Sequence, residues 1–157
     1  MRHSGADFVR VLWCWTEATP NAVSRARISL ECALDQLGFT GEGLDDAVLA
    51  ASELVANAIE HAPGPYEMRL RFMRGPRLIC EVADMDPRIP VVPAFRQMNP
   101  LKVAPGRCGG GLDALLELLS ERGRGLRIVH QLTCGAWGFA SEYGGRSKVA
   151  WMVIPGS

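Results

Sequence analysis

Between Asp45 and Ala62 the chain carries a helix-length stretch that is mostly apolar. At 3.6 residues per turn, Ala47, Ala51, Leu54, Val55, Ala58, Ile59 and Ala62 fall on one arc, and Ala50 and Ala56 leave little polar surface elsewhere. A helix so apolar must be mostly covered, which demands a second layer for it to pack against. Glu53, Asn57 and His61 recur every four residues and form a polar stripe beside the apolar arc. A carboxylate and an amide at the edge of a buried face need partners, because a desolvated charge without one is costly. A ligand and a metal ion would serve: Asn supplies a neutral oxygen for Mg²⁺, and Glu accepts a proton from a hydroxyl or water. On spacing alone the alternative stays open that Glu53 and His61 are simply solvated.

Bulk properties narrow the function classes. The 157 residues suit one domain with a sizeable core, and 48% apolar with 22% charged residues is the balance of a globular protein. Lys plus Arg and Asp plus Glu are equal at 17 each, so the electrostatic footprint of a nucleic-acid binder is missing. Lys102 and Lys148 are the only lysines, and no G-x-x-x-x-G-K-[ST] phosphate loop occurs. Cys14, Cys32, Cys80, Cys108 and Cys134 are odd in number and widely spaced, which fits neither a disulfide framework nor a zinc site. Cys14, Cys32 and Cys80 lie in apolar runs, where a thiol acts as a small hydrophobe. With no secretory leader or membrane-length apolar run, the expectation is a cytoplasmic protein without a membrane role.

The order of elements suggests the fold. Phe8 to Trp15 reads as a strand, Ala22 to Leu37 as a helix ended by Gly38, Gly41 to Gly43 as a connector, and Leu44 to Ala62 as a second helix stopped by Pro63-Gly64-Pro65. Strands follow at Glu67 to Arg74 and Arg77 to Asp84 around Gly75-Pro76. A Pro- and Gly-dense segment, a leucine-rich helix from Leu112 to Leu119 and a helix from Leu126 to about Leu132 come next. Strands at Ala136 to Tyr143 and Ser147 to Pro155 close the chain. This pattern predicts an α/β chain: a two-layer sandwich with a mixed, mostly antiparallel sheet covered on one face by helices.

Two further features carry chemistry. Gly123-Arg124-Gly125-Leu126 leads straight into a helix, where exposed backbone N–H groups and the helix dipole attract phosphate, and Arg124 could add a charge-assisted bond. A tight turn between two helices is the other reading. Asp84 ends the apolar run Leu78-Ile79-Cys80-Glu81-Val82-Ala83 and could accept a bond from an exocyclic amine such as that of adenine, or serve only to end the strand.

Taken in order, these segments resemble a known family. Ser52-Glu53-Leu54-Val55-Ala56-Asn57-Ala58-Ile59-Glu60-His61-Ala62 looks like the N box of the GHKL (histidine-kinase-like) ATPase superfamily, most of all its small anti-sigma-factor serine/threonine kinases. Val82-Ala83-Asp84-Met85-Asp86-Pro87-Arg88-Ile89-Pro90 looks like the G1 box, and Gly123 to Val129 like the G2 box, followed by the usual Trp137-Gly138. Gly144-Gly145-Arg146-Ser147 stands where the family turns into its last strand. The resemblance spans roughly Ala22 to Pro155.

The resemblance implies a Bergerat-type sandwich over residues 1–157, a flexible stretch at residues 1–7, and Mg·ATP held under a lid at about residues 93–122. Glu53 would be the general base and Asn57 the Mg²⁺ ligand. Asp84 would hold the adenine amine. Gly123, Arg124, Gly125 and Leu126 would meet the phosphates, and His61, Asp86 and Ser147 would complete the ATP site. The implied activity is transfer of phosphate from ATP to a Ser or Thr of an antagonist protein. The implied partners are a sigma factor, an anti-anti-sigma factor, or both, with a homodimer left open. One rival is a non-catalytic module that uses ATP, or no ligand, to switch a partner; a second is the catalytic half of a histidine kinase, which would need a separate subunit for the phosphoacceptor helices. Retention of Glu53 and Asn57 favours the kinase; Asp86, where the wider superfamily has glycine, favours the module.

Overall fold

The computed structural model describes residues 8–75, 77–90 and 125–157. The segments expected to form the lid and the leucine-rich helix, together with residues 1–7, Gly123 and Arg124, lie outside the described residues.

Among the described residues five strands and three α-helices follow one another along the chain, with the first two helices consecutive and the later strands in pairs. They are β1 (Phe8–Trp15), α1 (Ala22–Gln36), α2 (Gly41–His61), β2 (Tyr66–Phe72), β3 (Leu78–Asp84), α3 (Gly125–Leu132), β4 (Trp137–Glu142) and β5 (Ser147–Val153). The strands form one sheet in the order β1-β2-β3-β5-β4. Every pairing is antiparallel, including β3 with β5, which brings Asp84 opposite Lys148.

Local chemistry explains the helix ends. The buried residues of α1, Ala26, Leu30, Ala33 and Leu34, recur at helical spacing on one face. Gly38 takes a φ of 93°, and Phe39 N–H donates to Leu34 O while Gly38 N–H donates to Asp35 O. These are the paired bonds of a Schellman ending, in which glycine adopts the left-handed conformation without a Cβ penalty. The start of α2 differs from the sequence expectation. Its first helical residue is Gly41, because Thr40 already has the extended backbone of an N-cap and Glu42 sits favourably in the first turn. Ala62 returns to extended backbone, as a residue before proline prefers.

The helices cover one face of the sheet. Leu30, Leu34, Leu54, Met68, Leu70 and Leu126 are essentially inaccessible in the core between the layers. Alternation along the strands sends Leu78, Cys80, Val82 and Asp84 toward the helices, and Ile79, Glu81 and Ala83 to the other face. On that far face Arg69 donates to Glu142 at 2.9 Å, and Arg71 pairs with Glu81. Trp151 lies across Gly138, its strand partner: a Cβ there would stand 2.9 Å from the indole. Among the described cysteines none is in a disulfide. Cys80 is buried, and burial pushes its thiol up to about 12, whereas Cys14 and Cys32 are exposed rather than buried in apolar surroundings.

Candidate functional site

The polar stripe survives folding as a graded series. Glu53 is partly exposed, Asn57 is buried at 8% exposure, and His61 is half-buried. One helical rise per residue separates neighbours in the stripe by about 6 Å along the axis. Asn57 Oδ1 takes no hydrogen bond among the described residues, although it is buried. Most buried side-chain oxygens find a partner, so this atom is poised for one that the described residues do not supply. His61 Nε2 is likewise without a hydrogen bond among them and lies 3.8 Å from Glu60 Oε2. Ser52 turns its hydroxyl back to Leu49 O at 2.7 Å, a local helix bond that leaves the stripe to its neighbours.

Gly125 begins α3 directly against Glu53. A Cβ on Gly125 would stand 2.7 Å from Glu53 Oε2, so glycine is what lets the helix start approach the carboxylate. Leu126 and Val129, both at 0% exposure, anchor that helix in the core. The start of α3, with its free backbone N–H groups, therefore lies beside Glu53, the first residue of the α2 stripe.

The far end of the stripe meets the end of β3. Met85 N–H donates to Pro63 O at 3.0 Å, and Tyr66 donates its hydroxyl to Ala62 O at 2.6 Å. The Tyr66 phenol is pushed up, mainly by burial and then by the Glu17 and Asp84 carboxylates. Asp84 itself is 2% exposed. Lys148 Nζ donates to its Oδ1 at 2.9 Å and its Oδ2 at 2.8 Å, and Asp86 N–H donates to Oδ1 at 2.9 Å. Burial pushes the Asp84 carboxyl above its usual range, while the bonds from Lys148 and the Asp86 amide act in the opposite direction. Asp86 is buried and accepts from the Arg88 amide at 3.0 Å, from Nε at 3.1 Å and from Nη2 at 3.1 Å. The Arg88 guanidinium holds the Asp86 carboxyl down at about 2.

Ser147 is buried with no partner for its Oγ among the described residues. The alternation that sets Lys148 beside Asp84 directs Ser147 toward the opposite face of β5. The structure thus brings Glu53 to Gly125, and the end of α2 to the Asp84 and Asp86 loop. Sequence reading missed Lys148 and Arg88. A signal for Lys148 existed: it is a lone cation in a strand whose neighbours are all buried, and such a lysine needs a carboxylate.

A family model described as the histidine kinase-like ATPase domain matches residues 16–153. The chain belongs to that family. Its ATPase character implies ATP binding. A chain in the crystal structure of the SiaB–SiaC complex from Pseudomonas aeruginosa has the same fold, with a TM-score of 0.60 at 13% identity over 92% of this chain and 91% of that one. No curated protein sequence matches the chain. Among the described residues of this ATPase-family chain, no helix is long and apolar enough to cross a membrane. The same residues contain no cluster of three or more His, Cys, Asp or Glu side chains able to cage a metal ion.

Proposed function

We propose that this chain binds Mg·ATP between α2 and α3 and transfers the terminal phosphate to a Ser or Thr of a protein antagonist, within a partner-switching system that controls a sigma factor. The observation that carries this reading is the approach of Gly125 to Glu53: a helix start, whose N–H groups can receive phosphate, lies against a carboxylate that can accept a proton. Membership of an ATPase-domain family supports the nucleotide. A protein antagonist is in keeping with the fold neighbour, which is part of a two-protein complex.

The donor set fits magnesium. Mg²⁺ usually keeps several waters and shares substrate phosphates with few protein ligands, so the buried Asn57 Oδ1, unpartnered among the described residues, could serve as one of them where those residues hold no carboxylate cage. When bound, the ion would neutralise phosphate charge. The protein's own contributions are then distinct. The N–H groups at the start of α3 orient phosphate oxygens. Glu53 holds the attacking hydroxyl and takes its proton. Leu126 and Val129 fix α3 so that the two do not drift apart. Gly123, Arg124 and His61 would complete the ATP site, whereas Ser147, on the face of β5 turned away from the helices, is not part of it.

The test is Glu53→Gln, which keeps size and loses the basic oxygen. Phosphate transfer to a partner recovered by pulldown should fall by about 10²- to 10⁴-fold with Mg·ATP binding largely retained. A wild-type chain that binds ATP and its partner yet transfers no phosphate would establish the rival, a non-catalytic switch. The buried carboxylate Asp86 in the base loop is the feature that favours that rival.

A further inference from the structure

Two ends of the ATP site differ in how far their polar atoms are satisfied. At the metal end, Asn57 Oδ1 is buried and has no partner among the described residues. At the base end every acceptor position of Asp84 but one is taken. A carboxylate offers about four lone-pair positions. Lys148 Nζ spans both oxygens and fills one position on each, and the Asp86 amide fills a second on Oδ1. Lys148 and Asp84 have side chains only 3% and 2% exposed, so the pair is shielded from water. The next turn of the loop is also self-contained, with Asp86 holding three donors of Arg88.

An adenine amine presents a hydrogen carrying partial positive charge. To reach Asp84 it must approach beside an ammonium, where like charges repel, with a single position left on Oδ2 to accept it. Breaking a buried ion pair is costly, because the ammonium left behind has no water to receive it. Resting on the ATP-binding reading above, we infer that Lys148 occupies the base-reading carboxylate. Nucleotide is then held chiefly by its phosphates and metal ion, and Lys148 sets how much the base adds. The base-reading group is thereby a charged pair rather than a lone carboxylate, and the site takes nucleoside triphosphates with little demand for a 6-amino group.

The experiment is calorimetric titration with Mg·ATP of the wild-type chain, Lys148→Met, Asp84→Asn and the double variant. Lys148→Met frees Asp84, so ATP should bind it at least about tenfold more tightly than wild type, and Asp84→Asn should cancel that gain, as a direct coupling requires. If Lys148→Met binds ATP as weakly as wild type, or more weakly, the inference falls while the ATP site stands. If neither chain binds ATP, the ATP-binding reading falls and the inference with it. Because removing one partner of a buried pair can unfold a protein, a second measurement uses the wild-type chain alone. Purine riboside triphosphate, which lacks the 6-amine, should bind within about threefold of ATP. A loss of about tenfold to a hundredfold, the worth of a hydrogen bond to a charged group, would show that Asp84 is free to read the amine and overturn the inference.

Discussion

Gly125 and Asp86 are the residues whose chemistry is most exposed to test. A methyl group on Gly125 would collide with Glu53 Oε2, which is the far end of a flexible side chain. Gly125→Ala should therefore displace the carboxylate rather than the fold. The melting temperature should hardly move, while phosphate transfer falls on the order of 10²-fold, the effect of misplacing a reacting group by about an ångström. Paired thermal melts and transfer assays would check both halves. Asp86 adds a pH dependence. Its carboxyl lies at about 2 when folded against 3.8 unfolded, chiefly through the hydrogen bond from Arg88. The unfolded chain therefore binds the proton more readily between those values. Stability from this group is fully present above pH 3.8 and is lost as pH falls toward about 2. Arg88→Gln should flatten that part of an acid-denaturation curve.

The elements of this chain were legible to different depths, and the reasons are physical. α2 announced its buried face by period, and its stripe of Glu53, Asn57 and His61 came with it. The start of α2 was hidden because Gly41 and Gly43 carry no helical preference, while the deciding feature is the backbone of Thr40. The Asp84–Lys148 pair was hidden because it depends on β3 pairing with β5, a register set across 64 residues that local pattern does not contain. Two predictions belong here. Leu54 is fully buried on α2, so Leu54→Ala should cost about 2–5 kcal/mol in a denaturant titration. The link from α3 to β4 includes a bond in which Trp137 Nε1–H donates to His130 Nδ1 at 3.1 Å, which requires that nitrogen to be unprotonated. Burial pushes the His130 pKa below its ordinary value of 6.5. The folded state thus resists protonation, and stability should decline as pH falls below 6.5 and level off below the folded pKa. His130→Asn should remove that step from a plot of stability against pH.

At the level of the whole molecule, one sheet face and three helices bring together two regions far apart in sequence: the middle of α2 and the start of α3. The N-box and G2-box resemblance concerns those two segments, and the family match spans both. The account stands or falls on nucleotide binding there. The direct measurement is the thermal midpoint of the wild-type chain against rising Mg·ATP, with Asn57→Ala beside it. Ligand that binds only the folded state should raise the midpoint with the logarithm of its concentration. Once the site is filled, each tenfold should add about 1.4 kcal/mol, or about 3–6 °C for a chain of this size. Asn57→Ala should need more ligand for the same rise. A wild-type midpoint that does not move at millimolar Mg·ATP would contradict the assignment of an ATP site between α2 and α3.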